Sequence, residues 1–521
     1  LVKLDRAAPS DERAPSKENS PEPSPTETLA ALIERRAIES PGAVYLEDAR
    51  SDRAWTYSQL ARIASDWARY LGAIAPYQSS VIVDVGDPLH FAAAHLGIVA
   101  SGRRSIPVNP DLSWDELVRI SALAGDVALV VTDRETPGEI AGVTIGGVSS
   151  ETGSPAGLAR EGFDGVAAPW ETDAPTGGVL LFTSGSTGEP KGVELPERQL
   201  MFVARAVADH NSLGADDRGY NPLPLFHVNA EVVGLLATLV AGATLVLDRR
   251  FHRTGFWELL RDRRITWLNA VPAMLAVLAR GDSLDVPDTV RFIRSASAPL
   301  PDAVRATLEQ VALVVSYGMT EGASQITATP LGEPLRPGSV GIPVGCEIEV
   351  RDEEAHALQR GEVGVLWIRG PGIIRGYYRG RVAERFDADG WLNTNDLGTI
   401  DDDGYVYLVG RADDVINRGG EKVYPAEVED VLLRDDRVRE AVVVARPDAI
   451  LNQVPVAYVI PVVTDLDPAV AEQLAEELRE RSERELPRFK RPVQISVVDD
   501  VPRAPTGKVQ RNRVREIAAA K

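Results

Sequence analysis

The stretch "VLLFTSGSTGEPKGVEL", residues 179–195, decides how the rest of the chain is read. Between positions 183 and 192 it carries two Thr, two Ser, three Gly and Lys191, directly after the apolar run Val179 to Phe182. Small hydroxylated residues and glycines let backbone N–H groups, hydroxyls and one ammonium converge on a single anion, because no bulky side chain blocks the approach. A phosphate is the ligand this composition predicts. The nucleotide P-loop needs a second Gly five residues after the first, followed at once by Lys and then Ser or Thr. Here Pro190 stands five residues after Gly185, and Lys191 is followed by Gly192, so the loop is of another kind. A flexible Gly/Ser linker is the bland alternative, but linkers rarely follow an apolar run or carry one fixed Lys.

Outward from this loop, short apolar runs alternate with helical patterns. "VIVDV" (81–85) precedes an Ala-rich segment at 91–101, and "SWDELVRISALAG" (113–125) opens with Ser113 and Glu116 spaced as a capping box before "VALVVT" (127–132). The pattern recurs around "ATLVLD" (243–248), "ITWLNAVP" (265–272), "VRFIRS" (290–295) and "VALVVSYG" (311–318). Strands apolar on both faces and separated by helices predict a layered α/β domain with mainly parallel sheets. In such sheets ligands sit at the carboxyl ends of strands. The two most unusual loops, after Phe182 and after Ser316, both fall there.

Beyond "GYVYLVGRADDVINRGGEKVYPAEVED" (404–430) the texture changes. Pro425 marks a helix start, "AVVVARPD" and "VPVAYVIP" read as strands, an amphipathic helix runs through Leu474 and Leu478, and "VQISVV" is a last strand. This predicts a small α+β domain, with Asp413 and Asp414 at its threshold. Adjacent carboxylates at such a junction read as solvated charge or as a hinge.

A chain of 521 residues suits one large or two unequal domains. Its 44% hydrophobic and 26% charged residues are ordinary, so the informative quantity is the net charge of −21. Such a surface repels nucleic acid and anionic lipid, so neither is expected as a partner. Phosphate recognition is local and remains compatible with an acidic protein. The single cysteine, Cys346, excludes an intrachain disulfide or a Cys-rich metal site and fits a reducing cytoplasm. No apolar run approaches the roughly 20 residues of a membrane span, and the N-terminus lacks the basic-then-apolar order of a signal peptide. Residues 1–26, rich in Pro, Ser and charge, are expected to be a disordered tail.

Five ordered stretches identify a family resemblance: "LLFTSGSTGEPKGVEL" (180–195), "PLPLFHVNAEVVG" (222–234), "SYGMTEGAS" (316–324), "GRADDVINRGGEKVYPAEVED" (410–430) and "VPRAPTGKVQR" (501–511). Together they resemble the adenylate-forming superfamily of acyl- and aryl-CoA synthetases, firefly-type luciferases and peptide-synthetase adenylation domains, over roughly residues 27–515. The resemblance implies an N-terminal adenylation domain (27–411), a mobile C-terminal lid (412–521) and an active site between them. It implies ATP and Mg²⁺ as requirements and an acyl adenylate formed from a carboxylic acid.

By the same resemblance, Thr183, Ser184, Gly185, Ser186, Thr187, Gly188 and Lys191 wrap the β- and γ-phosphates, and Glu321 with Thr183 holds the metal. Tyr317 stacks on adenine, Gly318, Met319 and Thr320 pass close to adenine and the α-phosphate, and Ser297, Ala298 and Pro299 follow the adenine edge. Asp396 and Arg411 hold the ribose hydroxyls. The family pattern has Thr-Gly-Asp where this chain has Thr394-Asn395-Asp396; Asn tolerates positive φ best after Gly, so the turn is expected to survive. Lys508, otherwise read as a solvated charge, becomes the lysine that bridges the substrate carboxylate and the α-phosphate. Asp413 becomes the hinge, and the segment with Gly419 and Gly420 turns toward the acceptor.

His227, a core histidine if read alone, borders the acid pocket in the resemblance, with Val228, Asn229, Val232, Val233 and Ala273 as further candidates by position. Phe226 and His227 stand where amino-acid-activating relatives carry Asp, which favours an acid without an α-amine, and the pocket candidates suggest an apolar or aryl acid of modest size. "FIRSASAPL" and "MTEGASQIT" look most like the branch that contains oxalate-CoA and small- or medium-chain acyl-CoA ligases, though oxalate specificity is not carried over. Arg294 offers a partner for a second carboxylate, but an Arg at a strand end is expected to face solvent. CoA is the expected acceptor, and an amine or a carrier-protein thiol the alternative. A non-catalytic nucleotide binder would not need Lys191, Glu321 and Lys508 together. The expected assembly is a monomer or homodimer.

Overall fold

The run Val179 to Phe182 lies inside a strand, Gly178–Ser184, that pairs antiparallel with Pro190–Pro196 and sets Thr183 opposite Lys191. The Gly/Ser/Thr loop therefore joins two strands of a hairpin, whereas a P-loop leads from a strand into a helix. The computed structural model describes residues 27–136, 138–156, 176–184, 190–280, 284–380, 385–463, 465–503 and 509–520. The expected tail 1–26, the loop centre 185–189 and Lys508 lie outside the described residues.

This hairpin is one edge of a six-stranded sheet that continues through Arg104–Pro107, Ser80–Asp84, Val127–Thr132 and Thr144–Gly147, parallel apart from Pro190–Pro196. A second, nine-stranded sheet has a parallel centre of six strands: Ala312–Tyr317, Phe292–Ala296, Trp267–Ala270, Arg218–Asn221, Thr244–Leu247 and Val44–Asp48. The helix Pro88–Ala100 is buried along nearly its whole surface in one large core with strands of both sheets, which is why its sequence is apolar on every face. The anticipated capping box is present: Ser113 accepts from the Glu116 amide while Glu116 accepts from the Ser113 amide, starting the helix Trp114–Ala124.

A third sheet was not foreseen. Glu347–Arg351, Gly364–Arg369, Leu392–Ile400 and Val406–Arg411 form a wholly antiparallel four-stranded sheet, and its last two strands carry Asp396 and Arg411 as register partners. Their half-buried, mixed-polarity sequence has no strong period, so it escaped a search tuned to apolar strands.

From Ile416 onward a five-stranded sheet builds its own core. On the long strand Val438–Asp448, Ala441 and Val443 face the helices Pro425–Leu433 and Pro468–Glu485, while Val442 and Val444 face Arg511–Ala519 through Val514 and Ala518. This alternation is the period of two of a strand covered on both sides. Each fully buried Val or Leu there contributes about 1.5–3 kcal/mol, enough for a small domain to hold its shape. Across to the larger part of the chain runs an exposed ion pair, Lys422 Nζ to Glu353 Oε1 at 2.7 Å, of the kind worth about 0–1 kcal/mol. No helix among the described residues is long and apolar enough to cross a membrane.

Candidate active site

One parallel strand end and the antiparallel four-stranded sheet bring three of the nucleotide candidates together. Tyr317 ends its strand buried, and its hydroxyl donates to Asp396 Oδ2 at 2.5 Å, while Arg411 Nη1 donates to Asp396 Oδ1 at 3.0 Å. Two residues, 79 and 15 positions from it along the chain, thus share the Asp396 carboxylate. Burial, reinforced by the Asp396 charge, holds the Tyr317 phenol well above its ordinary pKa, so the hydroxyl remains a donor. Gly318 follows at a place where a Cβ would lie 1.4 Å from the Ser324 carbonyl oxygen, so no other residue fits without moving the backbone. Asn395 takes φ +64, the left-handed conformation expected where the family pattern has Gly. Ser297 also takes a positive φ, +78, at the start of the exposed Ser297-Ala298-Pro299 segment that follows the strand Phe292–Ala296. Strain of this kind costs about 1–3 kcal/mol and persists where the surrounding structure imposes it.

Glu321 is 8% exposed, in a one-turn helix after Met319. Its Oε1 accepts from the Tyr377 hydroxyl at 2.6 Å and from Arg385 Nη1 at 3.3 Å, and Arg385 Nη1 also donates to the Tyr377 hydroxyl at 2.5 Å. Its other oxygen makes no hydrogen bond with the described residues. A pinned carboxylate with one oxygen to spare is a suitable hard donor for Mg²⁺. Lys191 lies with its ammonium 5.9 Å from the centre of the Tyr377 ring, so the hairpin and Glu321 meet at this tyrosine. Tyr377 and Arg385 escaped the sequence reading. The "RGYYRG" run (375–380) between two strands was the available signal.

Of the candidates for the acid pocket, Asn229, Val232 and Val233 lie on a π-helical segment, Asn229–Leu236. Such turns concentrate at functional sites because they widen the helix and re-aim side chains. It is anchored from behind by Glu231, fully buried, paired at 3.0 Å with His95, which also meets Ser105 Oγ at 2.8 Å. His227 packs on Phe226 with ring centres 4.6 Å apart, and burial lowers its pKa, so its imidazole is neutral at pH 7. Val228 and Asn229 are half-buried, whereas Val232 and Val233 are buried in the core. Ala273 lies exposed on a separate helix, Pro272–Ala279.

Arg294 overturns an expectation. It is 1% exposed, with side-chain acceptors from four segments around it: Asn229 Oδ1 (3.1 Å), Asn269 Oδ1 (3.2 Å), Ser316 Oγ (2.9 Å) and Gln325 Oε1 (3.2 Å). The strand Phe292–Ala296 is central in its sheet, so its end is covered by neighbouring elements and offers the side chain no route to water.

At the junction, Asp413 Oδ1 accepts from Asn395 Nδ2, and its carbonyl accepts from Arg515 Nη2 at 3.0 Å. Asp414 pairs with the same arginine. The threshold carboxylates are thus tied to both parts of the chain. Gly419 and Gly420, with φ +63 and +97, form the tip of the exposed hairpin between Ile416–Arg418 and Glu421–Val423. Of the phosphate loop, backbone pairing is described at Thr183 and Ser184, and Gly185, Ser186, Thr187 and Gly188 lie outside the described residues, as does Lys508. Among the described residues no group of three or more His, Cys, Asp or Glu could hold a metal.

Comparison with known proteins identifies the family and the fold. A sulfoacetate–CoA ligase of Cupriavidus necator is 35% identical over 506 residues, covering 94% of this chain and 98% of the relative. Among solved structures, ATP-bound MatB of Rhodopseudomonas palustris superposes with a TM-score of 0.83 at 27% identity, covering 94% of this chain and 98% of its own. The o-succinylbenzoate CoA synthetase of Bacillus subtilis does so in complex with its acyl-adenylate intermediate (TM-score 0.79, 27% identity, 93% and 97% covered) and with ATP and magnesium (0.80, 27%, 92% and 98%). Residues 33–378 match the AMP-binding enzyme family and residues 427–508 its C-terminal domain. With two thirds of its length under the first of these matches, the chain belongs to the AMP-binding enzymes, the adenylate-forming family.

Proposed function

We propose that this protein is an AMP-forming acid–CoA ligase. A carboxylate oxygen of the acid attacks the α-phosphorus of ATP, the bond to the β-phosphate breaks, and pyrophosphate departs with its electron pair. The acyl adenylate so formed is then attacked at the acyl carbon by the thiolate of coenzyme A, and AMP leaves. The observation that carries this reading is the single carboxylate shared by Tyr317 and Arg411 at the strand ends, with Glu321 four residues beyond the tyrosine.

In this reading Tyr317 stacks on adenine, Ser297, Ala298 and Pro299 flank its edge, and Asp396 accepts the ribose hydroxyls that Arg411 helps to orient. Gly318, Met319 and Thr320 approach adenine and the α-phosphate, on a backbone whose course against Ser324 only glycine at 318 allows. Lys191 and the loop from Thr183 to Gly188 cradle the β- and γ-phosphates. Glu321, with Thr183, would hold Mg²⁺, which when bound spreads negative charge as the two anions approach. Lys508 bridges the carboxylate and the α-phosphate, neutralising charge that develops in the transition state. His227, neutral through burial, borders the acid with Val228 and Asn229, and Val232, Val233 and Ala273 are its remaining candidates. The 412–521 lid then turns about Asp413 and brings Gly419 and Gly420 to the incoming thiol.

The test is incubation with ATP, Mg²⁺ and a panel of carboxylic acids, with and without CoA or simple amines, following AMP release and product mass. AMP and an acyl thioester that appear together only with CoA are expected. An amide formed with an amine, and no thioester, would move the acceptor assignment; no AMP with any acid would refute the proposal.

A further inference from the structure

A buried cation ordinarily has an anion beside it, because a charge withdrawn from water is compensated well only by an opposite charge. Arg294 has no such partner. Among the described residues no carboxylate pairs with it, and all its acceptors are neutral: Asn229, Asn269, Ser316 and Gln325. Burial pulls its pKa down to about 9, which still leaves it protonated at neutral pH. The side chain therefore carries a full positive charge into a neutral polar cage. If its task were only to tie strand ends together, a neutral amide would make comparable hydrogen bonds without that desolvation.

The four acceptor residues of the cage are not equally buried. Asn269, Ser316 and Gln325 are buried, whereas Asn229 is half-buried and lies two residues after His227, on the segment that borders the acid. Asn229 Oδ1 accepts from both Arg294 Nη1 and Asn269 Nδ2, so the least buried residue of the cage is bonded directly to the guanidinium. On the nucleotide side, Ser316, which accepts from Nη2, directly precedes Tyr317, and Arg294 is three residues before Ser297.

We propose that Arg294 receives a second oxyanion on the acid, so that the protein activates short acids bearing a distal carboxylate, sulfonate or phosphonate in preference to purely apolar ones. The inference rests on the acid-activating reading above. The incoming oxygen takes over the acceptor position that Asn229 Oδ1 holds, and the amide of Asn229 turns its N–H groups to the same anion. The guanidinium then faces a charged acceptor in place of a neutral one, so that a cation without a counter-charge becomes an ion pair. The acid is short because its distal group is held beside Ser316 while its reacting carboxylate must reach the nucleotide next to Tyr317.

The test compares matched acids on the wild-type protein: propionate and butyrate against malonate, succinate, sulfoacetate and phosphonoacetate, following AMP release. At least one dianionic acid is expected to exceed its monoanionic counterpart by about 100-fold in kcat/KM, the scale of one desolvated charge pair. The three anion types distinguish which oxyanion is preferred. Arg294→Gln is expected to raise KM for that dianion by about 100-fold, with far less effect on the monoanion, and Arg294→Lys to restore part of it. A wild-type preference for the monoanions, or an equal loss on both acids in Arg294→Gln, overturns the proposal; the wild-type comparison stands even where the variant fails to fold. A parallel arm measures the shift in Tm that each acid produces with ATP present. A dianion-specific shift that Arg294→Gln abolishes, without AMP release, supports the anion site and refutes acid activation. Monoanion turnover with no dianion shift does the reverse.

Discussion

Replacing Asp396 with Asn isolates the carboxylate on which the nucleotide reading depends. Its Oδ2 accepts from the Tyr317 hydroxyl at 2.5 Å and its Oδ1 from Arg411 Nη1 at 3.0 Å, and each oxygen keeps lone-pair capacity for a ribose hydroxyl. A hydrogen bond to a charged acceptor is worth about 1.5–3 kcal/mol, and an amide offers one neutral oxygen where the carboxylate offered two charged ones. One such bond is lost and the other weakened, about 2–3 kcal/mol together, so ATP should bind roughly 30- to 150-fold more weakly. The folded state should change little. The Arg411 side chain is 43% exposed, which places its ion pair near about 0–1 kcal/mol, and the Tyr317 hydroxyl keeps an oxygen acceptor. The assay is equilibrium titration of both proteins with ATP and with 2′-deoxy-ATP. Loss of the 2′-hydroxyl should cost the wild-type protein about tenfold and Asp396→Asn less than about twofold, because the acceptor for that hydroxyl is already impaired. ATP affinity within about threefold of wild type, or an equal deoxy penalty in both proteins, would refute the ribose assignment.

Other perturbations separate the remaining roles. Lys508→Ala should abolish pyrophosphate release while ATP affinity stays within about threefold, since the lysine acts chiefly in the transition state; unchanged release would remove it from the mechanism. Asp413→Pro should leave the first half-reaction within about threefold and cut thioester formation at least about 100-fold, because proline restricts the backbone rotation a hinge needs; equal loss of both steps would argue against a hinge. Burial pushes the Glu197 carboxyl up to about 7 from an ordinary 4.5, although it accepts from the Leu29 amide at 2.6 Å. The folded state therefore keeps a proton that the unfolded state has released across this window, and stability falls as pH rises from about 4.5 to about 7. Glu197→Gln should flatten that decline in Tm, and parallel curves for the two proteins would show that the group titrates normally.

Much of this protein was readable before any coordinates. Pairing within a helix turn or along a strand depends on residues a few positions apart, so the Ser113–Glu116 capping box, the apolar strands and the period-two face of Val438–Asp448 are written locally. The loop at 183–192 announces an anion through its own composition, and the five ordered motifs carry the family. Asn395 is an intermediate case: its positive φ follows from local preference, but its bond to Asp413 joins residues 18 apart.

The tertiary structure alone decided what each polar side chain meets. Tyr317 and Asp396 are 79 residues apart, Tyr377 and Glu321 56, and Asn229 and Arg294 65, and no periodicity spans such distances. The environment of Arg294 is the clearest instance, since a strand end is open or sealed according to which strands flank it. Sheet order, set by the burial of whole faces rather than by any short segment, placed Trp267–Ala270 and Ala312–Tyr317 on either side of its strand. The charge was legible in the sequence; its burial, and hence the demand for an anion, came from the packing of segments distant along the chain.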